Sequence, residues 1–238
     1  MRFLPIACSF LASLLFAATA AATPFVSVHW GSCPFPAHEP INRNQGTASR
    51  DTITVTVKGL SGPILGAQVF LSFGSPGGLP DAWRYDDAGC EAGRATFENA
   101  NNFDKCPRLL GANPRRVAQF QYDDLIKKGR LVYAQAFDVF NADPNVEYML
   151  GRFTFDHSAP DPCGCLEAPL CIHILNASYL DDSMVEHSFA VAQEYLNWND
   201  PANSTSCPFS GGDLLTTGAC QPTPVRAGSW GSIKASYR

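Results

Sequence analysis

The stretch Thr52-Ile53-Thr54-Val55-Thr56-Val57-Lys58 alternates apolar and polar side chains without a break. A period of two describes a half-buried strand, because successive side chains on a strand point to opposite faces. Ile53, Val55 and Val57 share one face; the threonines and Lys58 share the other. The same pattern recurs along the chain. Phe25–Trp30 reads as a first strand ended by Gly31, and Ala67–Phe73 returns after a Gly/Pro loop as a hairpin or a sandwich corner. Arg94–Phe97, Val117–Tyr122, Leu131–Phe137, Glu147–Asp156 and Ile172–Ala177 follow. In Glu147–Asp156 the period places Met149, Gly151, Phe153 and Phe155 on one side. Phe189–Leu196 has residues that favour a helix but neighbours that favour a strand end, and it is read as a strand. Asp123–Gly129 reads as one helical turn, capped by Asp123 and stopped by Gly129.

The chain opens with Met1-Arg2, an apolar run to Ala17, and small residues through Ala22. That is the pattern of a secretory signal cleaved after Ala22, and the run is too short to span a bilayer. Cys8 leaves with it. Eight cysteines remain: Cys33, Cys90, Cys106, Cys163, Cys165, Cys171, Cys207 and Cys220. An even number in an exported chain implies disulfides, whose pairing spacing alone does not fix. A Cys90–Cys106 bridge would close a loop of roughly 15 residues, worth about 3 kcal/mol in the chain-entropy model.

Cys163-Gly164-Cys165 and Cys171 form the densest cluster, read as a stapled corner between two strands. His157 and His173 flank it, so the competing reading is a zinc site of Cys163, Cys165, Cys171, His157 and His173. Cys-x-Cys is tighter than the usual zinc ligand spacing, and disulfides are the preferred reading. No metal or other cofactor is expected.

The net charge of −5 carries no basic face for nucleic acid, and no membrane insertion is expected after signal cleavage. Asp156-His157-Ser158 holds hydrolase residue types without a nucleophile elbow, and no catalytic residue is assigned. Asp86-Asp87 and Asp181-Asp182 read as solvated turn residues. Trp83, Tyr85, Tyr195 and Trp198 sit among polar loop residues. They are candidates for stacking on sugar rings or anchoring a partner, weighed against simply capping the ends of a sandwich. Asn176-Ala177-Ser178 and Asn203-Ser204-Thr205 fit the glycosylation sequon.

His29-Trp30-Gly31-Ser32-Cys33, Leu79-Pro80-Asp81-Ala82-Trp83, Phe153–His157, the cysteine corner, Trp198 and the ending Ser229-Trp230-Gly231-Ser232-Ile233-Lys234-Ala235-Ser236-Tyr237-Arg238 together resemble a family of uncharacterised exported bacterial proteins. The likeness runs over nearly the whole mature chain. It implies export and a disulfide-containing β-sandwich, and its ending would suit a sorting or anchoring signal. It brings no activity. Ile53–Lys58, Gly66–Val69 and Gly93–Phe97 are separately similar to bacterial immunoglobulin-like repeats.

The expected fold is therefore all-β: an immunoglobulin-like or cohesin-like sandwich of about seven to nine strands with disulfides. Residues 1–22 are the signal, 23–202 the sandwich, and 203–238 a loosely ordered tail tied by Cys207 and Cys220. The expected function is a secreted or surface-displayed, non-enzymatic binding or adhesion protein for carbohydrate or a cell-surface component. A secreted metal-dependent hydrolase and a structural envelope component are the alternatives.

Overall fold

The computed structural model describes residues 23–31, 33, 42–43, 50–75, 78–98, 106–158 and 169–199. The signal segment, the Cys163/Cys165 corner and the 203–238 tail lie outside them. The described residues form twelve strands: β1 Phe25–Trp30, β2 Asn42–Arg43, β3 Arg50–Lys58, β4 Gly62–Gly74, β5 Ala95–Glu98, β6 Arg115–Asp123, β7 Lys128–Ala142, β8 Tyr148–Asp156, β9 Leu170–Asp181, β10 Glu186–Ser188, β11 Ala190–Gln193 and β12 Tyr195–Trp198. Asp81–Trp83 is one 3-10 turn. The strands make a five-stranded sheet, β11-β1-β3-β8-β5, and a seven-stranded sheet, β2-β12-β9-β4-β7-β6 with β10 also on β9. The all-β sandwich is as expected. The strands outnumber the seven to nine read from sequence because 186–198 breaks into three short ones and Asn42–Arg43 adds a two-residue strand.

Period-two burial builds the core between the sheets. Ile53, Val55 and Val57 of β3 meet Val69, Leu71 and Phe73 of β4 and Phe153 and Phe155 of β8 in one cluster. The Gly59–Ser61 connection is a sandwich corner, since β3 and β4 lie in different sheets. Gly59 turns there at φ +81°, where a Cβ would also press on Pro24.

The sequence alternation fails at one place in β8. The β3–β8 register shifts between Val55 and Thr56, so Leu150 is an extra residue. Gly151, Phe153 and Phe155 keep the inward face, but Met149 is turned to the outer side, against Cys33 and Cys106. Those cysteines form a disulfide. The chain reverses at Gly31 (φ 82°), whose carbonyl accepts the Thr54 hydroxyl, and Cys33 then lies over the outer face of the smaller sheet. Thr54 and Thr56 are buried there, although they point away from the core. Cys106 is therefore not bridged to Cys90. Long-range folding, not nearness in sequence, brings it to Cys33.

The 123–129 segment is not a helical turn. It is the tip of the β6–β7 hairpin, closed by the Asp123–Lys128 pair. Asp123 Oδ1 still caps, accepting from Leu125 N at 3.0 Å and Ile126 N at 3.4 Å. Lys127, not Gly129, takes the left-handed conformation (φ 53°). Gly129 lies inside β7, where a Cβ would meet Phe120 Cζ at 2.6 Å.

The 186–198 segment laces one side of the sandwich. β10 pairs with β9 in the larger sheet, β11 pairs in parallel with β1 in the smaller, and β12 returns to β9. Trp30 Nε1 donates to the Asn197 carbonyl at 3.2 Å, tying the two sheets at that side.

Candidate functional site

Three of the four aromatic candidates are interior. Trp83, Tyr85 and Trp198 are 0%, 5% and 1% exposed, and Tyr195 is half-buried. The 3-10 turn at Asp81–Trp83 folds Trp83 into the end of the sandwich, with ring centroids 5.4 Å from Trp198, 5.7 Å from Phe155 and 4.9 Å from His157. Trp30 packs 5.9 Å from the other side of Trp198. Burial of such large rings supplies much of the core's hydrophobic energy. The end is capped, and these rings present no open face for a sugar.

This cap encloses polar groups. The His157 side chain is 2% exposed and Asp51 1%. The Tyr85 hydroxyl sits 3.0 Å from His157 Nδ1, and Nε2 is 3.6 Å from Asp51 Oδ2. Burial drives His157 down to about 4, against weaker opposing pulls from the Ala82 backbone hydrogen bond and the Asp156 charge. Burial, then the charges of Glu91, Asp51 and Asp156, push the Tyr85 phenol well above its ordinary value. Glu91 is also raised by burial, with Arg94 opposing at 3.5 Å. The imidazole is thus neutral, boxed in and shielded from any substrate.

The sequence reading missed Asp51, though a signal existed. It shares the parity of Ile53, Val55 and Val57, so the alternation itself puts a carboxylate on the apolar face. Asp156-His157-Ser158 does not assemble for hydrolysis. Ser158 donates to Asp156 through both its hydroxyl and its backbone N–H, while His157 points inward to Tyr85. Those bonds, with Arg50, lower Asp156 to about 2.

The zinc reading loses its described members. Cys171 is disulfide-bonded, as is Cys90. His157 is engaged as above, and His173 Nε2 pairs with Glu194 at 2.6 Å. Among the described residues the only metal-compatible grouping is Cys33, Cys106 and Glu147, whose two sulfurs are joined to each other. Cys163, Cys165, Cys207 and Cys220 lie outside the described residues. No helix among the described residues is long and apolar enough to cross a membrane.

No protein-family model matches the chain, and no curated protein matches it. Solved structures similar to it include the second type II cohesin module of the ScaA scaffoldin of Acetivibrio cellulolyticus, at 10% identity over 75% of this chain and 98% of that one, TM-score 0.40. The cohesin module of a Clostridium perfringens family 33 glycoside hydrolase is 8% identical over 74% of this chain and 97% of that one, TM-score 0.39. A non-cellulosomal cohesin from the archaeon Archaeoglobus fulgidus is 10% identical over 73% of this chain and 89% of that one, TM-score 0.32.

The remaining surface of note is the outer face of the larger sheet. Gln68, Phe70 and Ser72 of β4 point outward beside Ala134 and Ala136 of β7 and Ser178 of β9, following the paired registers. Gln68 Nε2 donates to Ser178 Oγ at 2.8 Å and to Glu186 Oε1 at 2.9 Å, and Ser178 Oγ donates to the same carboxylate at 2.7 Å. This polar knot ties β4, β9 and β10 together in the middle of the face. Of the seven large exposed apolar side chains among the described residues, six, Val117, Leu125, Val139, Leu175, Met184 and Val185, belong to the larger sheet or its hairpin tips.

Proposed function

We propose that the protein is a secreted or surface-displayed, non-catalytic module that binds a protein partner through the larger sheet. The observation that carries this reading is the one-sided placement of exposed apolar side chains. Val117 and Leu175 are 39% and 44% exposed on that face, and Leu125 is 95% exposed at its hairpin tip. Exposed apolar groups held on a rigid scaffold favour association, because covering them removes their contact with water. Capped aromatic rings remove the support for a carbohydrate ligand, while the absorbed histidines give no support to a hydrolase. A cell-surface protein fits the export signal and the face together.

Retention on cell envelopes tests this. The wild-type protein should co-sediment with envelope fractions, and the double change Val117→Asp with Leu175→Asp should reduce retention at least tenfold. Protease treatment of the envelopes should abolish binding, while periodate oxidation of their sugars should leave it intact. Retention that survives protease and is lost to periodate would restore the carbohydrate reading and overturn this one.

A further inference from the structure

β6 is the outermost strand of the larger sheet and pairs, among the described residues, only with β7. Its nine-residue register, from Arg115 against Ala136 to Asp123 against Lys128, runs without a bulge. The other outer strands among the described residues are short: four residues each in β5 and β11, three in β10 and two in β2. Proteins blunt an exposed edge with bulges, prolines, lysines or brevity, because unpaired backbone groups recruit another strand. β6 contains no proline, no lysine and no register shift, and its charges, Arg115, Arg116 and Asp123, are confined to its two ends. Arg115, Arg116, Val117, Gln119 and Gln121 are exposed along it.

The sequence of β6, Arg115-Arg116-Val117-Ala118-Gln119-Phe120-Gln121-Tyr122-Asp123, also complements itself. An antiparallel pair of these strands related by a two-fold axis at Gln119 sets Arg115 opposite Asp123 of the other copy. Arg116 then faces Tyr122, Val117 faces Gln121, and Ala118 faces Phe120. Every pair joins residues of the same parity, so inward side chains meet inward ones and both cores stay continuous. Opposite charges at the two ends, an arginine beside an aromatic ring and a small residue beside a large one are all favourable cross-strand pairs. This register uses all nine residues and is the one that puts both arginine ends against aspartate ends.

We infer that β6 is a self-pairing edge through which a second copy of this chain joins, making one sheet continuous across a two-fold axis. On the order of eight backbone hydrogen bonds would form across that seam. The paired molecule would carry two outer faces side by side.

The test is sedimentation of the exported, disulfide-intact chain over a wide concentration range, with engineered crosslinking. Wild-type protein should pass from monomer to dimer. Gln119→Lys sets like charges opposite each other at the axis. It should weaken association at least tenfold while leaving circular dichroism unchanged, and thermal unfolding unchanged at dilutions where the wild type is monomeric. Directly opposed residues stand about 4.5–5.5 Å apart between Cα atoms, within disulfide reach. Gln119→Cys should therefore oxidise to a covalent dimer. Val117→Cys, whose two copies would lie about 14 Å apart at the strand rise, should not. A monomer at every concentration, or equal crosslinking of both variants, would overturn the proposal.

Discussion

Protonating His157 sets a charge against burial. Its ring is held between Tyr85 and the Asp51 carboxylate beneath Trp83 and Trp198, and burial lowers it from 6.5 to about 4. His29, on the outer side of the smaller sheet, is likewise lowered by burial to about 3. A lowered histidine means that the unfolded chain binds protons which the folded chain refuses. Stability is therefore level above pH 6.5 and falls as pH drops toward the folded values. At about 1.4 kcal/mol per pKa unit, the change at His157 amounts to at most about 3.5 kcal/mol. Asp156 acts elsewhere: its stabilisation is present above 3.8 and is lost only as pH falls toward about 2. Denaturant titrations from pH 7 to 4 should show the wild type losing stability steadily. His157→Gln should flatten much of that slope, leaving the His29 part; an unchanged slope would show that His157 is not the group responsible. Residues of this kind were only partly legible in the sequence. The strand parity of Asp51 marks it as inward, but nothing local shows that a 3-10 turn will carry Trp83 and Tyr85 over His157.

At the scale of elements, the β6–β7 hairpin shows how a correct local signal can serve a different structure. Asp123 is a cap in sequence and in structure, yet Gly129 after it suggests a helix end. The cap instead serves a four-residue turn, because the flanking strands pair across it and Lys127 supplies the left-handed residue. Asp123→Ala should cost about 1 kcal/mol, as loss of a side-chain cap does. Amide exchange should accelerate first at Leu125 and Ile126, whose N–H groups the carboxylate holds. Uniform acceleration across β9 as well would show that the loss is not local. Long alternating strands such as β3 and β4 were legible because burial of one face imposes period two. The bulge at Leu150 was not, since the extra residue is defined by the partner strand. The three short strands at 186–198 exchange sheets twice, which mixes their patterns and hides them.

For the whole molecule, the Cys33–Cys106 bridge pins the chain across the outer face of the smaller sheet. It spans 73 residues, and a loop of that length stabilises by about 4 kcal/mol in the chain-entropy model. Replacing both cysteines by serine should lower stability by roughly 2–4 kcal/mol without changing the far-ultraviolet spectrum, measured by chemical denaturation. The sequence showed that disulfides exist; it could not show which, because pairing follows the folded topology. The same holds for the aromatic residues. Their polar neighbours suggest open loops, whereas the 3-10 turn carries Trp83 into the end of the sandwich and Trp198 lies buried within β12.

Disulfide mapping of the protein by non-reducing peptide mass spectrometry tests this topology most directly. The structure predicts a linked pair of peptides containing Cys33 and Cys106, with Cys90 and Cys171 each found in other disulfides. A Cys90–Cys106 link would contradict the strap across the smaller sheet. A free Cys171 thiol that releases zinc on denaturation would return the corner near His173 to consideration as a metal centre and set the binding-module account aside.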